Sequence, residues 1–200
     1  NKTFQMVKVI LFELLYSCFF LKLISLTKND FLIMRTFLLL LILSSFSSIF
    51  GQKTIHKIYN SFELNDTRNI SIYLPKSYDK DSISNFPLAI VLDGHKLFYL
   101  YVGTSNYYSY QDDAPEQIVV GIDMENTRIN DAGYNITTSS LTKDSEQFYR
   151  FIRDELIPYV ETNYKTSPFI TIIGENVTAN FITHFLKEKY PIFNAYICLN

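Results

Sequence analysis

The sequence predicts an α/β protein in which a mostly parallel sheet is flanked by helices and follows antiparallel N-terminal strands. Three observations lead to this class. Ile70, Ile72 and Leu74 alternate with other residues at the period of a half-buried strand. Continuous apolar runs, typical of strands covered on both faces, occur at 86–92, 117–122 and 169–173. Helical patterns separate the later runs, and strands that alternate with helices usually pair in parallel.

The strands are predicted from these patterns in chain order. The first two span 55–64 and 68–74 and are joined near Asn65–Asp66, so they should pair antiparallel. A polar loop separates them from the runs at 86–92 and 117–122, and the later strands span 169–173 and 195–199. A short helical or irregular segment is predicted through Leu100, and a long polar loop at 123–143.

Two longer helices are predicted between the later strands. The first has an apolar face formed by Phe148, Phe151, Ile152, Leu156 and either Tyr159 or Val160. Asp144 with Gln147 three residues on predicts its N-cap, and Pro158 should kink or locally break it. The second helix is predicted at 177–190.

Residues 34–51 have the pattern of a secretory signal peptide. Met34–Arg35 is the basic start, 37–43 the apolar core and 44–51 the small-residue end, with cleavage after Gly51. The alternative is a transmembrane anchor, but the apolar core is shorter than the ~20 residues of a span. We therefore predict export to the periplasm or the extracellular space.

Residues 1–33 contain an apolar stretch at 6–26 that carries Lys8, Glu13 and Lys22. Each charge at the centre of a span costs about 2.5–3.5 kcal/mol. We interpret this segment as non-native, translated from upstream DNA, and the alternative is a real membrane tether. Because the chain begins with Asn and stops within an apolar run, we expect a fragment, with 52–200 belonging to one domain.

Composition narrows the classes of partner and cofactor. The formal net charge is −2, so nothing predicts binding of nucleic acid. The cysteines are Cys18 and Cys198, which leaves one in the mature chain and predicts no disulfide within it. No cofactor is predicted, and a membrane is a partner only if 1–33 is real. The sequence does not indicate the oligomeric state.

The candidate site residues follow the strands that should be parallel. In such sheets the working site lies at the carboxyl ends of the strands. Those ends read Asp93-Gly94-His95, 123–125 and Gly174-Glu175-Asn176. Asp93, Asp123 and Glu125 could form a carboxylate metal site, but no His or Asp spacing supports one, so we predict none.

Five segments resemble the esterase family that includes esterase D and the enterochelin esterases. They are 72–75 with Tyr78, 92–94 with Phe98, 120–122 with Arg128 and Asp131, 148–164, and 172–174. The resemblance implies an α/β-hydrolase fold, of which 52–200 would be the N-terminal two-thirds. It also implies an ester or related small molecule as ligand, and Arg128 with Asp131 as a pair that organises a loop.

The resemblance also aligns 174–178 with the G-x-S-x-G elbow that presents a nucleophilic serine. Asn176 then stands at the serine position, beside Glu175, and Thr178 stands at the second glycine. The backbone N–H groups of Val177 and of the turn around His95 would hold the oxyanion. The acid and the histidine of the family's triad would lie beyond residue 200.

A carboxamide is a poor nucleophile, so the sequence predicts an exported esterase-like protein without serine-hydrolase activity, a binding or scaffold module. Asp93, Gly94 and Tyr99 are the candidate cleft residues, although Tyr99 and its neighbouring tyrosines are also typical of packing. We expect Asn176 at positive φ, which Asn tolerates, and a turn crowded and somewhat widened by Thr178. Three alternatives remain. The first is an active carboxylic-ester hydrolase that uses an unorthodox nucleophile or a pocket with water and carboxylates. The second is a membrane-tethered structural protein, and in the third Asn176 is simply a helix N-cap in an unrelated fold.

Overall fold

A computed structural model of the chain describes residues 53–78, 84–135 and 137–200. The predicted signal peptide at 34–51 and the segment 1–33 lie outside the described residues, so both stay predictions. Within the described ranges, no helix combines the length and the apolar character needed to cross a bilayer.

Within the described residues, eight strands form two sheets. They are β1 (Lys53–Ser61), β2 (Asp66–Leu74), β3 (Phe86–Val91), β4 (Ile118–Ile122), β5 (Tyr134–Asn135), β6 (Ser140–Leu141), β7 (Thr166–Glu175) and β8 (Ala195–Leu199). The main sheet has six strands in the order β1-β2-β4-β3-β7-β8, and β5 pairs with β6 in a small hairpin.

The pairing in the main sheet confirms the predicted class. β2 pairs antiparallel with β1 and with β4, whereas β3 is parallel to β4 and β7, and β7 is parallel to β8. Every residue of β4 is buried, as a strand covered on both faces requires. The apolar alternation in β2 places Ile70 and Ile72 in one core layer and Tyr73 in the layer on the other face.

In the part of the chain that the structure describes, five α-helices flank the sheet. They are α1 (Gly94–Tyr110), α2 (Arg128–Asp131), α3 (Lys143–Arg150), α4 (Ile157–Asn163) and α5 (Val177–Thr183). A π-helical segment, Phe151–Leu156, joins α3 to α4, and a 3₁₀ turn, His184–Lys187, follows α5. Pro158 is the second residue of α4, and the helical run continues across it, with a change from π-type to α-type hydrogen bonding between Leu156 and Ile157 in place of a break.

The predicted apolar face of this helical run is also confirmed. Phe148, Phe151, Ile152, Leu156 and Val160 are fully buried. Phe148 packs against Phe181 of α5 with ring centroids 5.7 Å apart. This layer covers one face of the sheet and fixes α5, the helix that follows the elbow.

Several local predictions were wrong in extent. α1 continues to Tyr110 rather than ending near Leu100, and the long polar loop contains α2 and the β5–β6 hairpin. α5 and its 3₁₀ turn end at Lys187 rather than at Tyr190. The N-cap of α3 is Thr142, whose side chain accepts a hydrogen bond from the Ser145 N–H, and not Asp144.

Candidate functional site at the strand ends

The carboxyl ends of β3, β4 and β7 lie side by side along one end of the sheet, here called its carboxyl edge, because these strands are parallel neighbours. Asp93 follows β3, Asp123 follows β4, and Asn176 follows β7. The structure therefore brings together the three strand ends that the sequence singled out.

Asn176 is the single residue between the end of β7 and the start of α5. Its backbone has φ 51° and ψ −106°, so the expected positive φ is confirmed. Its N–H donates to the Leu199 carbonyl of β8 at 2.9 Å, and its own carbonyl accepts from the Asn180 N–H at 2.9 Å. Its side chain makes no capping hydrogen bond. Asn176 thus occupies the N-cap position of α5, but its side chain does not supply the cap.

Gly174 makes the sharp turn possible because α5 crosses directly over it. A Cβ at this position would lie 2.6 Å from the carbonyl carbon of Thr178 and 2.8 Å from the backbone nitrogen of Ala179. Both atoms belong to the backbone, so a side chain here would have to displace the helix. The close contact fixes the start of α5 against the end of β7.

Thr178 is fully buried at this crossing. Its Oγ1 accepts a hydrogen bond from the Glu175 N–H at 2.8 Å and donates to Oδ2 of Asp93 at 2.7 Å, with the Glu175 carbonyl also 3.0 Å away. The side chain that was expected to crowd the turn is thus hydrogen-bonded on both sides. Its hydroxyl is directed into the protein and has no access to a ligand.

Asp93 is the centre of this network and is itself fully buried. It has φ 53° and ψ 40°, and its Oδ1 lies 2.8 Å from Nε of Arg128. This ion pair is close but not aligned as a hydrogen bond. Asp93, a candidate cleft residue, is therefore enclosed between Arg128 and Thr178 and faces no cleft.

Arg128 connects the strand ends to one another. Its Nη2 donates to the Glu175 carbonyl at 2.7 Å and lies 3.6 Å from the Glu175 carboxylate, which is also 3.6 Å from the ammonium of Lys96. The Glu175 side chain is about a third exposed. Glu175 is thus held by two cations at the mouth of the elbow.

The predicted pairing of Arg128 with Asp131 was wrong. Asp131 is buried and pairs with Arg68 of β2 at 3.1 Å, whereas Arg128 turns to Asp93 and Glu175. Burial raises the pKa of Asp131, and Arg68 opposes that shift. Both arginines therefore anchor the segment that follows β4, but to different parts of the sheet.

His95 begins a cleft beside this edge. Its Nδ1 lies 3.6 Å from Oδ1 of Asp123. The cleft has a volume of about 380 Å³ and is lined by Gly94, His95 and Tyr99, together with residues of β1, β2 and β4. The candidate cleft residues Gly94 and Tyr99 thus line a cavity. Within residues 53–78, 84–135 and 137–200, no three His, Cys, Asp or Glu side chains are grouped as metal ligands.

Sequence reasoning missed the roles of Arg128 and Thr178. Arg128 was assigned to the wrong carboxylate, and Thr178 was treated only as a bulky replacement for glycine. The available signal was chemical, since a buried acid at Asp93 needs a cation and a donor nearby. The sequence contained both groups but gave no means of joining positions 93, 128 and 178.

Comparison with known proteins identifies a family for this architecture. The model of a family described as Putative esterase matches residues 61–179, more than half of the chain. The matched segment runs from the end of β1 to the first residues of α5, so it includes the elbow. A search of curated proteins found no match.

Solved structures share the fold over most of this chain. An uncharacterised protein from Capnocytophaga ochracea has a TM-score of 0.65 and 26% identity, over 71% of this chain and 39% of its own. An IroE-like serine hydrolase from Shewanella oneidensis has a TM-score of 0.61 and 24% identity, over 72% of this chain and 49% of its own. The BES protein from Bacillus cereus has a TM-score of 0.61 and 22% identity, over 76% of this chain and 62% of its own. The chain thus spans between 39% and 62% of the lengths of these proteins.

Proposed function

This chain belongs to the esterase family, and we propose that it is an exported, ligand-binding member without serine-hydrolase activity. The observation that carries the proposal is Asn176, a carboxamide at the tight turn between β7 and α5. A carboxamide has no proton that a neighbouring base could remove to create an attacking oxygen. Loss of the nucleophile in a triad enzyme costs about six orders of magnitude in turnover.

The hydroxyls near this turn support the proposal because they offer no replacement nucleophile. Thr178 is fully buried and donates to Asp93. Ser167 lies near the start of β7, nine residues from Asn176 along an extended strand, and therefore at the opposite edge of the sheet. The backbone frame of the elbow is kept while its reactive atom is absent.

A second candidate function is hydrolysis through a different nucleophile, and one contact favours it. Oγ of Ser71 lies 2.9 Å from Nδ1 of His56, which is the distance of an activated serine. However, Ser71 lies within β2 and its backbone is paired with β1 and with β4. The neighbouring N–H groups therefore belong to the sheet and are not arranged to stabilise an oxyanion. We rank this function below the first for that reason.

Hydrolysis of short-chain p-nitrophenyl esters by the full-length mature protein tests the proposal. We expect no turnover above background and no labelling by a fluorophosphonate. Asn176→Ser is expected to gain labelling if the remainder of the protein supplies a histidine and an acid. Thr162→Ser, an exposed helix position, is the matched control that adds no serine at the elbow. Labelling of the native protein would refute the proposal.

If the native protein does hydrolyse esters, variants distinguish the possible sites. Turnover abolished by changing Asn176, Glu175 or His95 would indicate chemistry at the strand ends. Turnover abolished only by Ser71→Ala or His56→Ala would assign it to the second candidate.

Export is part of the proposal and rests on the pattern at 34–51. We expect the mature protein to begin at Gln52. Sequencing of the mature N-terminus measures this directly, and a mature chain that retains 1–33 would favour the membrane-tethered alternative.

A further inference from the structure

A cleft between strands β1 and β2 and the first turns of α1 lies beside the strand-end site. We call it the β1–α1 cleft. Its volume of about 380 Å³ falls within the ~300–1,000 Å³ typical of small-ligand sites. Gly94 and His95 line it and directly follow Asp93, whose carboxylate contacts the elbow through Thr178. A ligand in this cleft would therefore be adjacent to the strand ends.

A chain of three hydrogen-bonding side chains crosses the cleft. Nδ1 of His56 lies 2.9 Å from Oγ of Ser71, and Nε2 of His56 lies 3.3 Å from the hydroxyl of Tyr99. His56 and Ser71 are directly opposite each other in the β1–β2 pair, so the sheet fixes their contact. The chain thus joins two strands to the helix above them.

The position of Tyr99 is set by its neighbours in α1 and β4. Phe98 is buried and packs on Gly121, where an added Cβ would lie 2.6 Å from the phenyl ring. The ring of Tyr99 meets that of Phe98 edge to face, with centroids 5.1 Å apart. The tyrosine hydroxyl is therefore held toward His56, although the residue as a whole is 64% exposed.

The titratable side chains that line the cleft already have partners. His95 faces Asp123 at 3.6 Å. Lys57 also lines the cleft, but its ammonium donates to the hydroxyl of Tyr159 at 2.9 Å and lies over that ring. An anionic ligand would have to displace the Lys57–Tyr159 contact or the His95–Asp123 contact, and a cationic ligand would have to draw Asp123 away from His95.

The groups with hydrogen-bonding capacity left for a ligand are the hydroxyls of Ser71 and Tyr99 and the exposed carboxamide of Asn69. Each of them can both donate and accept. Their natural complement is a ligand whose own groups both donate and accept, which is the property of hydroxyls. The exposed side chain of Ile58 and the face of Tyr99 supply apolar surface for the carbon frame.

We propose that the β1–α1 cleft binds neutral polyhydroxylated molecules, such as sugars or cyclic polyols. This inference names the ligand class of the binding module proposed above and rests on that function. The ligand is held by the hydroxyls of the His56–Ser71–Tyr99 chain and lies against Ile58 and the ring of Tyr99.

Saturation-transfer NMR on the full-length mature protein tests this assignment. The probes are D-glucose, cellobiose and myo-inositol as neutral polyols, with benzoate and choline as charged comparisons. We expect at least one polyol to bind and both charged probes to bind more weakly. Tyr99→Phe and Ser71→Ala should each raise the Kd of the bound polyol about 2- to 12-fold, which is the effect of one lost neutral hydrogen bond.

Tyr107→Phe is the matched control, because Tyr107 is an exposed tyrosine of the same helix outside the cleft. It should leave the Kd of the polyol unchanged. The proposal is overturned if no neutral probe binds, if a charged probe binds more tightly, or if the polyol Kd is the same in Tyr99→Phe and Ser71→Ala as in the parent.

The assay contains no ester, so its result is independent of the elbow. The native protein could bind a polyol through Tyr99 and also hydrolyse esters. That result would refute the proposed absence of hydrolase activity but support polyols as the ligand class. Absence of both polyol binding and turnover would refute the ligand class and leave the interpretation of Asn176 in place.

Discussion

The hydroxyl of Thr178 donates to Oδ2 of Asp93 at 2.7 Å, which ties the first turn of α5 to the end of β3. Asp93 is fully buried and its other oxygen is 2.8 Å from Nε of Arg128. A buried carboxylate without partners is costly, so these two contacts make the charge tolerable. The residue at the second glycine position of the elbow motif has thus become part of the support for a buried acid.

Thr178→Val should destabilise the protein by about 1–3 kcal/mol, because it removes the hydroxyl at nearly constant shape and leaves Asp93 and the Glu175 N–H without this partner. Urea unfolding of both proteins gives the difference in free energy. Thr162→Val is the control, since the exposed Thr162 hydroxyl donates only to the carbonyl of Pro158 in its own helix. An equal loss in the two variants would contradict the assigned role of Thr178.

Arg128→Met should cost about 3–5 kcal/mol, because it leaves the fully buried charge of Asp93 uncompensated. The same substitution at Arg153 is the control. Arg153 pairs with Asp154 at 2.7 Å, but both side chains are about 40% exposed, and such pairs contribute about 0–1 kcal/mol. Thermal unfolding should therefore give a clearly lower melting temperature for Arg128→Met than for Arg153→Met. The reverse order would show that the Asp93 network does not need the charge of Arg128.

Gly174→Ala and Gly103→Ala should change stability in opposite directions. At Gly174 the new methyl meets the backbone of α5 at 2.6 Å, so we expect a loss of about 1–3 kcal/mol. At Gly103, within α1, the methyl meets nothing within 4 Å, and helix propensity predicts a gain of up to about 1 kcal/mol. Denaturant midpoints measure both changes. A neutral Gly174→Ala would mean that α5 can move away from β7 at little cost.

The sheet could be predicted from the sequence because each strand carries its own local signal. The buried run of β4 and the alternation of Ile70 and Ile72 determine which faces are covered, and covered faces determine the class of sheet. The full length of α1 could not be predicted in the same way. Its second half contains Gly103, Asn106 and several tyrosines, which are weak helix formers, and burial of Val102 and Ser105 against the sheet overrides that preference.

The candidate site could be located but its contacts could not be assigned. Parallel strands bring their carboxyl ends to one edge, so Asp93, Asp123 and Asn176 were expected to be neighbours there. The choice of Arg128 for Asp93 rather than Asp131 depends on how α2 packs against α3 and α5, which local patterns do not contain. The same holds for His56 and Tyr99, which are 43 residues apart and meet only in the fold.

Alkaline pH should destabilise the protein through its buried tyrosines. Burial raises the pKa of Tyr149, and the neighbouring Glu188 carboxylate adds to the shift. Burial raises the pKa of Tyr164 to about 12, with Tyr159 adding to it. A tyrosine in the unfolded chain ionises near pH 10, before its folded counterpart. The stability held by these neutral hydroxyls is therefore complete below pH 10 and is lost as the pH rises toward the folded-state values.

Tyr149→Phe isolates one of these groups. The ring stacks on Phe185 at 3.8 Å and its hydroxyl donates to Glu188 at 2.7 Å, so the substitution keeps the packing and removes the ionisable group. Urea unfolding measured between pH 10 and 11.5 should show a shallower fall in stability for the variant, by up to about 1.4 kcal/mol per pH unit. Tyr110→Phe, at a side chain that is 80% exposed, should retain the slope of the parent. If the unfolding free energy of Tyr149→Phe falls with pH as steeply as that of the parent, this hydroxyl is not linked to folding. The remaining tyrosines alone would then account for the whole alkaline loss.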